Sequence, residues 1–150
     1  MPQSRLIATT LLALALLGGV ALPVMPCLGG GRSALAVSVV YACGSLVCHQ
    51  RIERSLTTCG RQWPVCGRCS GLYLGAAVGV LLAAASVGRR GTWRQWRTRV
   101  LVSALPTGAL WLGEVAGLGD PGTPLRLALA LPLGVVTALW LSAVSRGDLR

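Results

Sequence analysis

The chain has 150 residues, of which 53% are hydrophobic and only 12% charged, so it holds too little polar surface to cover a soluble globule and forms one domain at most. Its net charge of +10 comes from fourteen basic residues, all arginine; Lys, Asn and Phe, whose codons are AT-rich, are all absent, which reads as a GC-rich, bacterial genome and not as a sign of an acidic partner. Nucleic-acid binding is excluded as a reading because the arginines flank apolar segments and form no soluble basic stripe.

In chain order, five apolar stretches follow one another: residues 6–25, 33–48, 69–87, 100–118 and 125–144. Four are near the roughly 20 residues that a helix needs to cross a bilayer. The second is shorter, with Cys43 and Gly44 near its middle, and is expected to be an interfacial or re-entrant helix. None alternates, so helices are expected and strands are not. The predicted fold is an all-α membrane protein, a bundle of four transmembrane helices plus that short helix, with the lipid bilayer as its one implied partner.

The first stretch, with Arg5 ahead of a leucine-rich run, has the look of a signal peptide. No small-residue cleavage site follows, Pro23 and Pro26 stand where one would be, and Pro26 spoils a lipoprotein reading of Cys27. An uncleaved helix is expected. In the third stretch Gly71, Gly75, Gly79 and Ala83 recur every four residues, as do Ala109, Gly113 and Gly117 in the fourth, the spacing that lets membrane helices approach closely. Pro106 and Pro132 are expected to kink their helices, and Trp93 and Trp96, set among arginines, to act as interfacial anchors.

Arginine placement gives an orientation. Residues 88–99 carry Arg89, Arg90, Arg94, Arg97 and Arg99 without an acid, which marks that connection as cytoplasmic. Arg5, Arg146 and Arg150 share its side if 33–48 does not cross; Arg32, Arg51, Arg54, Arg61, Arg68 and Arg126 lie opposite. The expectation is a protein of the cytoplasmic (inner) membrane with both termini inside and residues 48–69 outside. Should 33–48 cross, that loop becomes cytoplasmic, and zinc gains over disulfides.

Residues 48–69 hold Cys48, Cys59, Cys66, Cys69, the one histidine (His49) and Arg51, Arg54, Arg61 and Arg68. Such a polar cluster between apolar runs is a functional candidate. Cys48, His49, Cys66 and Cys69 make a closed tetrahedral set that suits structural zinc, although adjacent residues 48 and 49 seldom both reach one ion, and Cys59 is a possible replacement. Alternatively, Cys66 and Cys69 form a C-x-x-C at a helix start between Arg61 and Arg68, a reactive dithiol able to pass electrons to a membrane quinone, with His49 handling protons. Six cysteines also allow simple structural pairing, though a staple needs no imidazole. A non-enzymatic subunit or assembly factor is the third class. The loop arginines are candidates for bidentate phosphate or carboxylate binding, each alone reading equally as a solvated side chain. Glu114, a lone carboxylate inside an apolar stretch, needs a partner, expected to be Arg126 or a loop arginine. Asp120, in Gly-Asp-Pro-Gly, reads as a turn residue.

The run CHQ-x-x-ERS, then G-x-x-x-PVC-x-RC-x-G-x-Y-x-G, resembles the signature of small multi-pass membrane proteins grouped as domain of unknown function 2085. The matching positions are Cys48, His49, Gln50, Glu53, Arg54, Ser55, Gly60, Pro64, Val65, Cys66, Arg68, Cys69, Gly71, Tyr73 and Gly75, with Thr123 and Arg126 echoing a second motif. The likeness extends from about Val39 to the last apolar stretch. Ile52 stands where the pattern has proline and Pro124 where it has a polar amide; Cys27, Cys43 and Cys59 lie outside it. The resemblance implies a bacterial or archaeal membrane protein and brings no activity with it. The candidate site is therefore Cys48, His49, Cys66 and Cys69, supported by Glu53, Arg54, Arg68, Glu114 and Arg126.

Overall fold

The computed structural model describes residues 2–28, 33–85 and 91–148, with side chains from residue 6 onward. Arg32, Arg89, Arg90, Arg150 and the side chain of Arg5, which entered the orientation argument, lie outside the described residues. Helix α1 (Pro2–Val24) runs into a 3-10 turn at Met25–Leu28; α2 (Ala34–Val47) precedes a second such turn (Ile52–Arg54), strands β1 (Ser55–Thr58) and β2 (Arg61–Cys66), and helices α3 (Gly67–Ala85), α4 (Trp93–Val115) and α5 (Thr123–Arg146).

Among the described residues, three helical segments are long and apolar enough to cross a membrane: Leu6–Leu28, Gly67–Ala85 and Thr123–Arg146. Helix α4 is as long, but Arg94, Arg97 and Arg99 occupy its first turns and Glu114 its last, which shortens its apolar run. Its start is earlier than expected, so those arginines are helical and not part of a loop. The reason is a capping box: Thr92 Oγ1 accepts the Gln95 N–H (3.3 Å) and Gln95 Oε1 accepts the Thr92 N–H (3.1 Å), closing the first turn from both sides. Helix α2, with 14 residues, is shorter than the roughly 20 that a crossing needs.

The bundle is organised by the seam between α3 and α5. Gly71, Gly75, Gly79 and Ala83 are all buried on α3, and Arg126, Ala130, Gly134, Ala138 and Ser142 are buried on α5 at the same spacing of four. A Cβ placed on Gly71, Gly75 or Gly79 would come closer than 3.0 Å to the carbonyl oxygens of Leu127, Leu131 and Val135 respectively, and one on Gly134 would strike that of Leu72. Backbones this close leave no room for alanine. Helix α1 packs on both α3 and α5, whereas α4 packs mainly on α5 and reaches α3 through the Glu114–Arg68 ion pair.

The expected stripe on α4 does not pack. Ala109 is exposed, and a Cβ on Gly113 would meet nothing nearer than Leu118 at 3.5 Å. Gly117 serves a different purpose: at φ +79° it takes the left-handed turn that ends α4, donating to the Glu114 carbonyl while Leu118 donates to that of Gly113 (3.2 and 3.0 Å), a glycine-dependent helix stop. Pro106 and Pro132 lie inside helices that continue through them. Trp93 is exposed and meets the Trp140 ring edge-on at 5.0 Å. Trp96 departs from the expected anchor role, being 2% exposed under the Arg99 guanidinium, 4.9 Å from its ring.

The segment expected as a loop contains an antiparallel hairpin. Strands β1 and β2 pair Thr57 with Gln62 and Thr58 with Arg61, leaving Cys59–Gly60 as a two-residue turn. Both turn residues have positive φ (53° and 69°), the mirror-image turn that matches strand twist and for which Gly60 carries no steric cost. A disulfide joins Cys59 at this tip to Cys27 at the end of α1. Beneath the hairpin, Leu22, Cys48, Trp63 and Val65 form a buried cluster flanked by Tyr73 and Leu74, which fixes the hairpin against α1 and α3.

Candidate metal centre at the hairpin end of the bundle

Cys48 follows α2 in extended conformation (φ −145°, ψ 140°). Cys48 is buried and His49 exposed. Cys66 ends β2, and Cys69 lies in the first turn of α3. The Sγ atoms of Cys48, Cys66 and Cys69 all lie within 4.8 Å of one another. Tetrahedral zinc–thiolate bonds put sulfurs roughly 3.8 Å apart, so a small contraction would close the three on one ion. His49 is not brought into this group, although it lines the same cavity.

Local bonding presets the sulfurs. Cys48 Sγ accepts the Cys66 backbone N–H at 3.2 Å. The Cys66 thiol is held far below the usual range, at about 5, first by a hydrogen bond from the Cys69 thiol, against the opposing effect of burial, and then by the Cys69 and Arg68 backbone N–H groups and the Cys48 thiol. Those N–H groups are the free donors of a helix start, which favour negative charge. The arrangement therefore gathers three sulfurs and favours one of them, Cys66, as the thiolate, the form in which sulfur binds a soft cation.

The supporting frame comes from residues to which sequence reasoning gave no role. Gln50 sits at φ 45°, and its Nε2 donates to the Tyr41 and Pro64 carbonyls (2.8 and 2.7 Å). Gln62 Nε2 donates to the Gln50 carbonyl at 2.6 Å and to Ser55 Oγ at 3.1 Å, and the Tyr41 hydroxyl donates to the Gln62 carbonyl. These bonds pin the Cys48 strand to β2. The available signal was the place of Gln50 directly after the Cys-His pair. Gly67 gives a close seat to Thr123, whose side chain and carbonyl would both lie closer than 3.0 Å to an added Cβ.

Behind the thiols stands an ionic cluster. Glu114 Oε1 accepts from Arg68 Nη2 at 2.9 Å and from Arg126 Nε at 3.1 Å, and its Oε2 lies 3.8 Å from Arg54 Nη1. Glu114 thus has both expected kinds of partner at once. Arg126, 2% exposed, also ion-pairs with Asp120 at 3.0 Å. Asp120 does act as a turn residue, accepting the Gly122 N–H at 2.7 Å; that bond first, then Arg126, holds its carboxyl below the usual range. Glu53 stays apart: its side chain is 62% exposed and faces Arg51 at 4.0 Å. Cys48, His49, Cys66, Cys69, Arg54 and Arg68 are among the residues lining a cavity of about 410 Å³. Cys43 is a free, exposed thiol outside the group.

A helical membrane protein with a three-thiol centre braced by an ionic cluster is thus the class that the fold and site define. The sequence matches the family described as "Predicted membrane protein (DUF2085)" over residues 48–140. The chain belongs to that family. It is 30% identical over 101 residues to an uncharacterised protein of the archaeon Methanothermobacter thermautotrophicus, covering 62% of this chain and 82% of the relative. It is 44% identical over 43 residues to an uncharacterised protein of Methanocaldococcus jannaschii, where the match spans 29% of this chain and only 28% of the relative. Both relatives are archaeal, and neither supports the bacterial origin read from codon bias. No solved structure matches.

Proposed function

We propose that this chain is a four-crossing protein of a prokaryotic cytoplasmic membrane whose hairpin end binds one zinc ion through Cys48, Cys66 and Cys69. The observation that carries the reading is the convergence of three sulfurs from three elements within 4.8 Å. The fourth position is left to a water or ligand entering from the cavity, the coordination pattern of zinc that meets a substrate. Helix α4 is the fourth crossing: its 23 residues reach roughly 35 Å, with Trp93 and the arginines at one end and Glu114 neutralised at the other. The hairpin faces outward, as the Cys27–Cys59 disulfide fits an oxidising side.

Metal content per chain, measured by mass spectrometry on untagged protein purified without chelator, tests the reading. About one zinc, lost in Cys66→Ser, is the expected result. No metal, with Cys66 and Cys69 joined, would overturn it. That outcome would favour the second reading, a thiol-disulfide oxidoreductase, which the hydrogen-bonded Cys66–Cys69 pair at a helix start supports. There the dithiol gives two electrons and two protons to a membrane quinone, leaving a disulfide and a quinol. A Cys69→Ser variant would then trap a mixed disulfide on Cys66.

A further inference from the structure

We propose that the cavity beside the thiols binds a small oxyanion, a phosphate or carboxylate group held by Arg54 and Arg68. Each guanidinium carries five N–H donors and no acceptor, and three of them converge on the single Glu114 carboxylate. That carboxylate does not satisfy them. Its Oε1 is shared by Arg68 and Arg126, while its Oε2 lies 3.8 Å from Arg54, beyond hydrogen-bond reach. Arg126 turns its remaining charge toward Asp120.

Two arginines with donors to spare, Arg54 and Arg68, line the cavity. The Nε–H of Arg68 is buried with no hydrogen-bond partner. The Arg54 side chain, 40% exposed, pairs with Glu114 at a distance, and its guanidinium has no hydrogen bond among the described residues. A buried charged donor without an acceptor is costly, and native proteins rarely keep one unless something fills the place. The acceptor that fits two planar forks is an oxyanion, bound through paired N–H···O bonds. The cavity of about 410 Å³ has ample room for one. The proposal does not depend on the metal, since the donors belong to arginines. Zinc with three thiolates would add one net negative charge, weakening the site without removing a contact. Because the cavity lies at an end of the bundle, the oxyanion is either a free ion or a lipid headgroup.

The test uses the full chain in nonionic detergent, titrated with inorganic phosphate against chloride at matched ionic strength while thermal unfolding is followed. The midpoint is expected to rise with phosphate and not with chloride. Arg54→Gln, which leaves the buried Arg68–Glu114–Arg126 contacts in place, should weaken phosphate binding about tenfold, with Arg54→Lys between the two. Metal content is measured on the same samples; an unchanged value in Arg54→Gln separates this result from the fate of the zinc reading. Repeating the titration in bilayer discs identifies the source. A response abolished by phosphatidylglycerol but kept in phosphatidylcholine assigns the site to an anionic headgroup, and a response kept in both assigns it to a free anion. Equal shifts in phosphate and chloride, or a phosphate response unaltered in Arg54→Gln, would overturn the proposal.

Discussion

Removing the carboxylate of Glu114 would leave Arg126, 2% exposed, facing only Asp120, and would strip Arg68 Nη2 of its acceptor. A buried charge abandoned by its partner typically costs about 3–5 kcal/mol. Glu114→Gln is therefore expected to lower stability by about that amount, whereas Glu53→Gln, fully on the surface, should change it by less than about 0.5 kcal/mol. Thermal unfolding of both variants in one detergent checks the pair; equal midpoints would mean that the cluster is not under load. At this scale the sequence was informative where chemistry is scarce. A single carboxylate in an apolar run announces that it has a partner, and Cys48, Cys66 and Cys69 announced themselves by spacing. His49 carries no such mark: it follows Cys48 directly in the chain, yet it is exposed and the three sulfurs gather without it.

Helix α3 and helix α4 carry the same written pattern of small residues, yet only α3 uses it for packing. Gly75→Ala would drive a methyl into the Leu131 carbonyl, and overpacking of this kind costs about 1–3 kcal/mol or more. Gly113→Ala meets nothing closer than 3.5 Å and should be neutral or slightly stabilising, as alanine is the better helix former. The two melting points, read against wild type, decide it; a larger loss at Gly113 would mean that α4 packs elsewhere than on α5. The difference is legible in the sequence of α5. Arg126, Ala130, Gly134, Ala138 and Ser142 repeat the α3 period on α5, and a stripe is credible as a seam only when a second stripe answers it. The hairpin was harder to see because its strands are short and a proline interrupts β2, and only the Cys59–Gly60 pair hints at a two-residue turn.

Across the whole molecule, the covalent tie between Cys27 and Cys59 spans 32 residues and holds the hairpin to the end of α1. Losing such a link typically costs about 2–4 kcal/mol, so Cys27→Ser is expected to unfold at a visibly lower temperature. The same bond reports orientation. In intact cells a membrane-impermeant maleimide should modify Cys59 only after reduction, as mapped by mass spectrometry; modification that also requires permeabilised cells would place the hairpin inside. One consequence of the α3–α5 seam concerns how the chain is made. The glycine face of α3 precedes Thr123–Arg146 in the chain, so until α5 is made its close-packing backbone has no answering stripe. A chain cut short after α4 would leave that face without the stripe it packs against, so the last helix completes the fold.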